Sequence, residues 1–256
     1  MKQNQSTRTG RILALSGRTV TELCRDPLSW IFALAFPLLM LALFWIINSR
    51  IPPEAGMTQF LPGNIGPGIL VFAQNFLTLF VALLVSGDRD NAFLSRLLAS
   101  PAVPAEFHWG YALPALFLGI LQGILTMTAV WLLSLAGGDA LSFAGCMGAV
   151  VCTVPSMVFC VGLGILLGKL LSQKAAPGIA SAVLSVSSFL GGCWMDVNLM
   201  GEVYAKICTL LPWYPAVRTG RWLLGMTEFV PADLAVVCLW AAGIHVLALS
   251  VGRKNR

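Results

Sequence analysis

The stretch IGPGILVFAQNFLTLFVALLVS, residues 65–86, decides the fold class because it runs for 22 residues without a charged side chain. At 1.5 Å per residue, a helix of this length spans about 33 Å, enough to cross the roughly 30 Å hydrocarbon core of a bilayer. Inside hydrocarbon, only a helix or a closed barrel satisfies every backbone polar group. The stretch therefore predicts a membrane-spanning helix.

Five further stretches of the 256-residue chain share this property. Together the six predict spans at about 30–47, 65–86, 109–136, 141–168, 175–195 and 233–252. The composition agrees, since 11% of the residues are charged against about 25% in an ordinary soluble domain. We expect an all-α membrane protein with six transmembrane helices in one domain over 1–256. Disulfide-rich secreted proteins, disordered chains and cytosolic enzymes are excluded.

The basic residues predict the orientation of these spans. With the N-terminus in the cytoplasm, the inner segments carry 12 of the 16 Lys and Arg residues and five of the 11 acidic ones. The inner net charge is then +7 and the outer −2, which together give the +5 of the chain. The positive-inside rule therefore favours both termini in the cytoplasm. Anionic lipid headgroups account for the basic charge, so a nucleic-acid partner is not expected.

Residues 8–25, ahead of the first span, predict an amphipathic helix. Arg11, Arg18 and Arg25 are spaced seven apart and share one helical face, and Pro27 closes the segment. Such a helix is expected to lie in the inner membrane interface. The alternative is a solvated cytoplasmic helix, because the apolar face is modest.

The outer segment 196–231 contains apolar runs too short to cross, bounded by prolines. Runs of this length favour external re-entrant half-helices. Three aromatic residues flank two arginines here, as anchors do at a headgroup boundary. The five residues are Trp213, Tyr214, Arg218, Arg221 and Trp222. The alternative is that the two arginines receive an anionic substrate headgroup.

The seven cysteines contain no CxxC motif and no Cys/His cluster with metal-ligand spacing, so no metal site is predicted. Cys193 and Cys208 are the pair that can meet on the outer side, and whether they form a disulfide stays open.

The inner loop GDRDNAFLSRLLASPAVPAEFHWG, residues 87–110, predicts a short amphipathic helix over 88–101. Asp90 or Asn91 caps it, and Ser100 and Pro101 stop it. Its apolar stripe consists of Phe93, Leu94, Leu97 and Leu98. Such a helix is suited to a groove on a soluble partner; the alternative is that the stripe rests on the membrane surface.

This loop resembles the cytoplasmic loop of ABC-2 type permeases, the transmembrane subunits of ATP-binding-cassette exporters. The acidic-Arg-acidic triplet stands at 88–90 and the Leu-Leu-x-Ser/Thr-Pro motif at 97–101, whereas 91–93 departs from the usual Gly-Thr pair. The run LPWYPAVRTGRWLLGM, 211–226, is similar to the external half-helices of the family. Gly191-Gly192 resembles the break near the outer end of its fifth span.

The resemblance implies an export permease that couples to a separate ATPase. It implies cytoplasmic ATP-binding-cassette subunits as partners, ATP and Mg on those subunits, no cofactor in this chain, and a second permease subunit in a homo- or heterodimer. The substrate would be hydrophobic or amphiphilic, such as a drug, a lipid-linked molecule or a glycan, moved outward across a bacterial plasma membrane. The implied coupling residues are Asp88, Arg89, Asp90, Phe93, Leu94, Arg96, Leu97, Leu98, Ser100 and Pro101.

The chain itself shows no GxxxxGK[ST] phosphate loop and no catalytic constellation. Gly164 and Gly168, followed by Lys169, instead predict a helix-packing face that ends at a snorkelling lysine. Polar residues within the spans are candidates for a translocation path: Gln74, Asn75, Gln122, Ser185 and Ser188. The alternative for each is a hydrogen bond to a neighbouring helix. For His245, the alternatives are a proton relay and a packed histidine.

Two other functional classes remain open from the residues. An ion-coupled secondary transporter predicts buried ionisable residues and related halves, neither of which the sequence shows. A membrane scaffold without its own ATPase fits the composition equally well. An intramembrane hydrolase is disfavoured because the charge-free stretches contain no carboxylate and no paired nucleophile and base.

The predicted orientation is testable with membrane-impermeant thiol reagents on intact cells. Asp139→Cys, in the turn between the third and fourth spans, is expected to be labelled from outside, whereas Ser95→Cys in the inner loop is expected to stay unlabelled. Labelling of Ser95→Cys alone would reverse the topology.

Overall fold

The computed structural model describes residues 2–52, 58–91, 103–138 and 140–254, and the regular elements of these residues are all helical. In chain order the helices are α1 (Lys2–Arg25), α2 (Pro27–Trp30), α3 (Phe36–Asn48), α4 (Pro62–Asp90), α5 (Pro104–Gly137), α6 (Phe143–Cys152), α7 (Val154–Leu170), α8 (Ala176–Leu190), α9 (Glu202–Leu210), α10 (Trp213–Leu223) and α11 (Pro231–Lys254). A π-helical turn, Ile31–Ala35, leads into α3, and a 3-10 turn, Val197–Met200, precedes α9.

Five of the described helical segments are long and apolar enough to cross a membrane. They are Ile31–Asn48, Pro62–Asp90, Pro104–Gly137, Phe143–Leu170 and Pro231–Val251. The prediction of an all-α membrane protein is therefore confirmed, and these segments overlap five of the six predicted spans.

The predicted span at 175–195 is shorter in the structure. Its helix, α8, has 15 residues, which at 1.5 Å per residue is about 22 Å, less than the hydrocarbon core of a bilayer. The helix ends at Gly191, and the next residue, Gly192, has a φ of +59°. Because a left-handed backbone favours glycine, this pair turns the chain out of the helix. The count of six spans therefore stays a prediction.

The predicted span at 141–168 consists of two helices, α6 and α7, that meet at Thr153. Pro155, in the first turn of α7, has no N–H to continue the ladder. The Thr153 hydroxyl donates to the carbonyls of Ala149 and Val150 at 2.9 and 3.1 Å, so carbonyls near the break gain a partner. Such side-chain bonds allow a broken helix to persist at membrane depth.

Helix α4 forms the centre of the fold and packs against α3, α5, α7, α8 and α10. Of its most apolar 18 residues, 83% are buried, against 17% for α11 and for Ile31–Asn48. A helix that is apolar on all sides is suited to this central position. The two exposed helices keep most of their surface free to contact lipid.

Helix α7 approaches α4 closely at two glycines. A Cβ atom on Gly164 would lie 2.8 Å from the carbonyl oxygen of Thr78, and one on Gly168 would lie 2.9 Å from that of Ala82. Both distances are too short for a real Cβ contact, and the obstructing atoms are backbone. The predicted packing face at Gly164 and Gly168 is therefore confirmed.

We expect Gly164→Ala to lower the free energy of unfolding by about 1–3 kcal/mol, because the new methyl group forces α4 and α7 apart. Thermal unfolding in detergent measures this effect. Gly243→Ala is the matched control, since nothing lies within 4 Å of a Cβ atom at that position. Equal melting temperatures for the two variants would contradict the close packing.

Candidate functional site

Five helices bring polar side chains together at one end of the bundle, which we call the Asp88 end. Helices α4, α7 and α11 contribute their C-terminal parts to it, α5 contributes its first two turns, and α1 lies against α5. A Cβ atom on Gly110 would lie 2.3 Å from the Leu15 side chain, so glycine lets α1 approach α5 closely. The predicted helix at 8–25 lies within α1; its place in the membrane interface stays a prediction.

Asp88 is buried, with 7% of its surface exposed, and its carboxylate is fully engaged. Arg18 of α1 donates to its two oxygens at 2.6 and 2.8 Å, and the Tyr111 hydroxyl of α5 donates at 2.6 Å. The hydrogen bond to Asp88 raises the pKa of the Arg18 guanidinium above its ordinary value. A buried carboxylate needs such donors, so Asp88 links α1, α4 and α5 at one point.

Glu106, in the first turn of α5, is the second buried carboxylate of this end and is 4% exposed. Arg11 of α1 donates to it at 2.9 Å, and Arg8 lies 3.8 Å away. The other carboxylate oxygen accepts the backbone N–H of Val103 at 3.2 Å. Asp88 and Glu106 are therefore the two points at which α1 holds the chain on either side of the inner loop.

Arg89 and Asp90 bind the chain at the end of α7. The Arg89 guanidinium donates to the carbonyls of Lys169 and Leu171, the latter at 2.7 Å. The Asp90 carboxylate accepts the backbone N–H of Gln173 at 2.8 Å. Carbonyls at a helix C-terminus lack partners within the helix, so Arg89 satisfies them while joining α4 to α7.

Lys169 and two histidines complete the connections. The Lys169 ammonium donates to the carbonyl of Ala248 in α11 at 2.8 Å, and His245 of α11 lies 2.6 Å from His108 of α5, between Nδ1 and Nε2. These links form a closed circuit, α1–α4–α7–α11–α5–α1, which we call the polar ring. Its side chains are Arg11, Arg18, Asp88, Arg89, Glu106, His108, Tyr111, Lys169 and His245.

The triplet Asp88, Arg89 and Asp90 belongs to the last turn of α4, so the predicted start of a separate helix at 88 is wrong. The Asp90 carboxylate accepts the N–H of Gln173, and the Asn91 N–H closes α4 on the Gly87 carbonyl. Capping of a helix in the inner loop by Asp90 or Asn91 stays a prediction, because its partners lie outside the described residues. The remaining predicted coupling residues, Phe93, Leu94, Arg96, Leu97, Leu98, Ser100 and Pro101, lie outside the described residues.

Three candidate path residues are buried and bind neighbouring helices. The amide nitrogens of Gln74 and Gln122 donate at 3.1 Å, to the Thr153 hydroxyl and to the Ala73 carbonyl respectively. The amide oxygen of Asn75 accepts the indole N–H of Trp213 at 2.9 Å. The oxygens of Gln74 and Gln122 are buried without a hydrogen-bond partner. Each of the three amides thus has a helix-joining contact.

The two candidate path serines lie on α8. Ser185 is exposed and donates to the carbonyl of Ser181 at 3.0 Å, whereas Ser188 is buried and donates to the carbonyl of Ser185 at 2.7 Å. Both hydroxyls therefore bond within their own helix.

The segment predicted as half-helices contains α9 and α10, and α10 is packed inside the protein. Headgroup anchoring is wrong for Trp213, Tyr214 and Arg221, which are 9%, 7% and 7% exposed. Arg221 donates to the carbonyls of Asn64 and Gly192 at 3.0 Å, so its cation is satisfied by backbone. The alternative that Arg218 and Arg221 receive an anionic headgroup stays a prediction.

Arg218 and Trp222 also have partners within the protein. Arg218 forms a two-bond ion pair with Asp233 of α11 and lies over the Tyr214 ring at 5.4 Å. The Trp222 ring lies 4.3 Å from that of Phe229, and Trp222 is half-buried. Cys193 and Cys208 are both buried free thiols.

Sequence reasoning missed Glu106, His108 and Tyr111 as members of the site. The available signal was their position, since three polar residues occupy the first two turns of α5 directly after the inner loop. Lys169 was expected to snorkel to the interface; it is half-buried instead, and its ammonium binds α11.

We expect Asp88→Asn to lower the free energy of unfolding by about 1.5–3 kcal/mol, because it weakens charge-assisted hydrogen bonds in a buried site. Glu22→Gln is the control, since Glu22 pairs with the same arginine at i, i+4 on a partly exposed surface, a contact worth about 0.2–0.5 kcal/mol. Denaturant unfolding of both variants, each with and without Arg18→Gln, measures the coupling. Equal losses for Asp88→Asn and Glu22→Gln would contradict the central role of Asp88.

No curated protein matches the chain. A family model described as ABC-2 type transporter matches residues 10–224, which is most of the chain and extends from α1 to α10. The match includes the ring residues up to Lys169, whereas α11 with His245 lies beyond it. The chain therefore belongs to the ABC-2 type transporter family.

Proposed function

We propose that this protein is the transmembrane permease subunit of an ATP-binding-cassette exporter, and that ATP hydrolysis on a separate subunit drives transport through it. The observation that carries the proposal is the polar ring. Both ends of the inner loop are tied to the rest of the bundle through buried carboxylates, at Asp88 and at Glu106. A partner that moves this loop would therefore also move α1, α4 and α5, to which the loop ends are bound.

The route of the motion follows from the contacts of the ring. Displacement of the α4 end acts on α1 through Arg18 and on α7 through Arg89. Displacement of the α5 start acts on α1 through Arg11. Helix α1 binds the end of α4 and the start of α5 with two arginines that stand two turns apart. It therefore makes these two ends of the inner loop move together.

The proposal also assigns the cytoplasmic end of the bundle, the surface for a second subunit and the membrane. The Asp88 end faces the cytoplasm, where the basic segments lie, and the ATPase subunits bring ATP and Mg to it. The exposed face of α8, with Ser185, Val186 and Phe189, is suited to a second permease subunit. The membrane is the bacterial plasma membrane, in contact with the exposed apolar faces of α3 and α11.

The substrate path in this proposal runs beside α4, which carries Gln74 and Asn75 and which Gln122 of α5 contacts. The unpaired amide oxygens of Gln74 and Gln122 are buried hydrogen-bond acceptors that a substrate donor or a water molecule would satisfy. The substrate class is hydrophobic or amphiphilic, as the apolar surroundings of these groups favour.

Docking is tested by Leu97→Asp with Leu98→Asp in the inner loop, coexpressed with the candidate ATPase. We expect membrane insertion to persist and co-purification of the ATPase to fall at least tenfold, because charges replace the apolar stripe that fills the partner's groove. Leu199→Asp is the matched control, since Leu199 is 83% exposed and lies far along the chain from the inner loop. Undiminished recovery of the ATPase with the double variant would refute the docking assignment.

A further inference from the structure

One link of the polar ring is uncharged and joins two histidines. His108 of α5 is fully buried, and its Nε2 lies 2.6 Å from Nδ1 of His245 in α11. The two rings meet edge to face, with centroids 4.8 Å apart and an interplanar angle of 75°. The Trp109 ring lies nearly parallel to that of His245, at 6.0 Å and 13°.

The hydrogen-bond partners determine which nitrogens carry protons. Nε2 of His245 lies 2.9 Å from the carbonyl oxygen of Val158, and a carbonyl only accepts, so Nε2 carries a proton. In neutral His245, Nδ1 is then the acceptor, and Nε2 of His108 donates to it. Nδ1 of His108, which is buried without a partner, is left as a bare nitrogen. The chain of donors therefore runs in one direction, from α5 to α11 to α7.

The surroundings favour the neutral form of both rings. A buried imidazolium needs a counter-charge, but the two buried carboxylates of this end are bound by arginines, Asp88 by Arg18 and Glu106 by Arg11. Tyr111 donates its proton to Asp88 and adds no negative charge. Among the described residues, the further charged group that acts on His108 is the Lys169 ammonium, which is also a cation.

The histidine pair also packs closely against α7. A Cβ atom on Gly162 would lie 2.8 Å from Nε2 and Cδ2 of His245, so the absence of a side chain there lets the imidazole reach the Val158 carbonyl. Among the described residues of the Asp88 end, the two histidines form the side-chain hydrogen bond that joins α11 to the ring, whereas Lys169 binds backbone of α11. His108 stands two residues after Glu106, which binds the start of α5 to α1.

We propose that His108 and His245 are positioning residues joined by a neutral hydrogen bond with fixed tautomers, which we call the latch. Through this bond, motion of the start of α5 reaches α11. The proposal rests on the permease function proposed above. When the start of α5 moves with the inner loop, the directed hydrogen bond carries α11 along, and the Val158 contact keeps α7 in register. Loss of the bond removes the direct link from α5 to α11, while the ion pairs of α1 and the Lys169 contact between α7 and α11 persist.

The latch itself is tested without any partner. The chain contains two histidines, so ¹⁵N-histidine NMR of the full protein in lipid nanodiscs reports on this pair alone. Both rings are expected to be neutral with the proton on Nε2 between about pH 6.5 and 8. A proton on Nδ1 of either ring, or an imidazolium in this range, would overturn the assignment.

Two substitutions at His108 distinguish the effect of the hydrogen bond from the effects of side-chain size and polarity. The amide nitrogen of His108→Gln reaches towards the position of Nε2 and keeps a donor there, whereas the shorter His108→Asn withdraws it. In the chain alone, hydrogen exchange in the C-terminal half of α11 is expected to rise roughly five- to tenfold in His108→Asn and to stay near wild type in His108→Gln. Equal exchange in both variants would overturn the latch.

The coupling role is tested in the complex with the ATPase, by comparing nucleotide-free and vanadate-trapped states. Wild type and His108→Gln are expected to change hydrogen exchange in α11 on trapping. His108→Asn is expected to show a smaller change in α11 and an unaltered change in α4, because the Lys169 contact from α7 remains. A full α11 response in His108→Asn would reduce the pair to a structural contact. If no ATPase binds the wild-type chain, the proposed function fails, while the tautomers and the exchange of the chain alone still decide the latch.

Discussion

The buried carboxylate of Asp88 imposes the constraint on which the arrangement of this protein depends. A carboxylate removed from water is stable only if donors replace its hydration, and Asp88 receives them from Arg18 and Tyr111. These donors come from α1 and α5, so the need of the carboxylate for hydrogen bonds holds both helices against the end of α4. The same demand at Glu106 then determines where α5 begins, since its carboxylate holds both Arg11 and the Val103 N–H.

The apolar body of the bundle gives this polar end a rigid support. Helix α4 is surrounded by five other helices, and Gly164 and Gly168 bring the backbone of α7 against it without intervening side chains. Closely packed interiors resist gradual deformation. A force applied at the Asp88 end is therefore expected to move α4 and α7 together, which is what the proposed permease function requires.

The sequence predicted the broad plan and failed at particular residues for identifiable reasons. Apolar length located five spanning helices, but it overestimated α8, because Gly191 and Gly192 end the helix inside an uncharged stretch. The triplet at 88–90 carried a family motif, but its backbone continues α4, since no local residue signals a break before Asn91. Sequence reasoning also placed Arg221 at the headgroups, where cations usually go, although two backbone carbonyls inside the fold satisfy it.

The helices long and apolar enough to span a membrane were readable from the chain alone, because apolar length depends on local composition within one segment. The partners of the polar ring were not. Arg18 and Asp88 are 70 residues apart, Arg11 and Glu106 are 95, and His108 and His245 are 137. Which polar group meets which depends on how the helices pack and how far along each other they are displaced. That choice emerges only when apolar burial has assembled the bundle and each buried polar atom must find a partner within it.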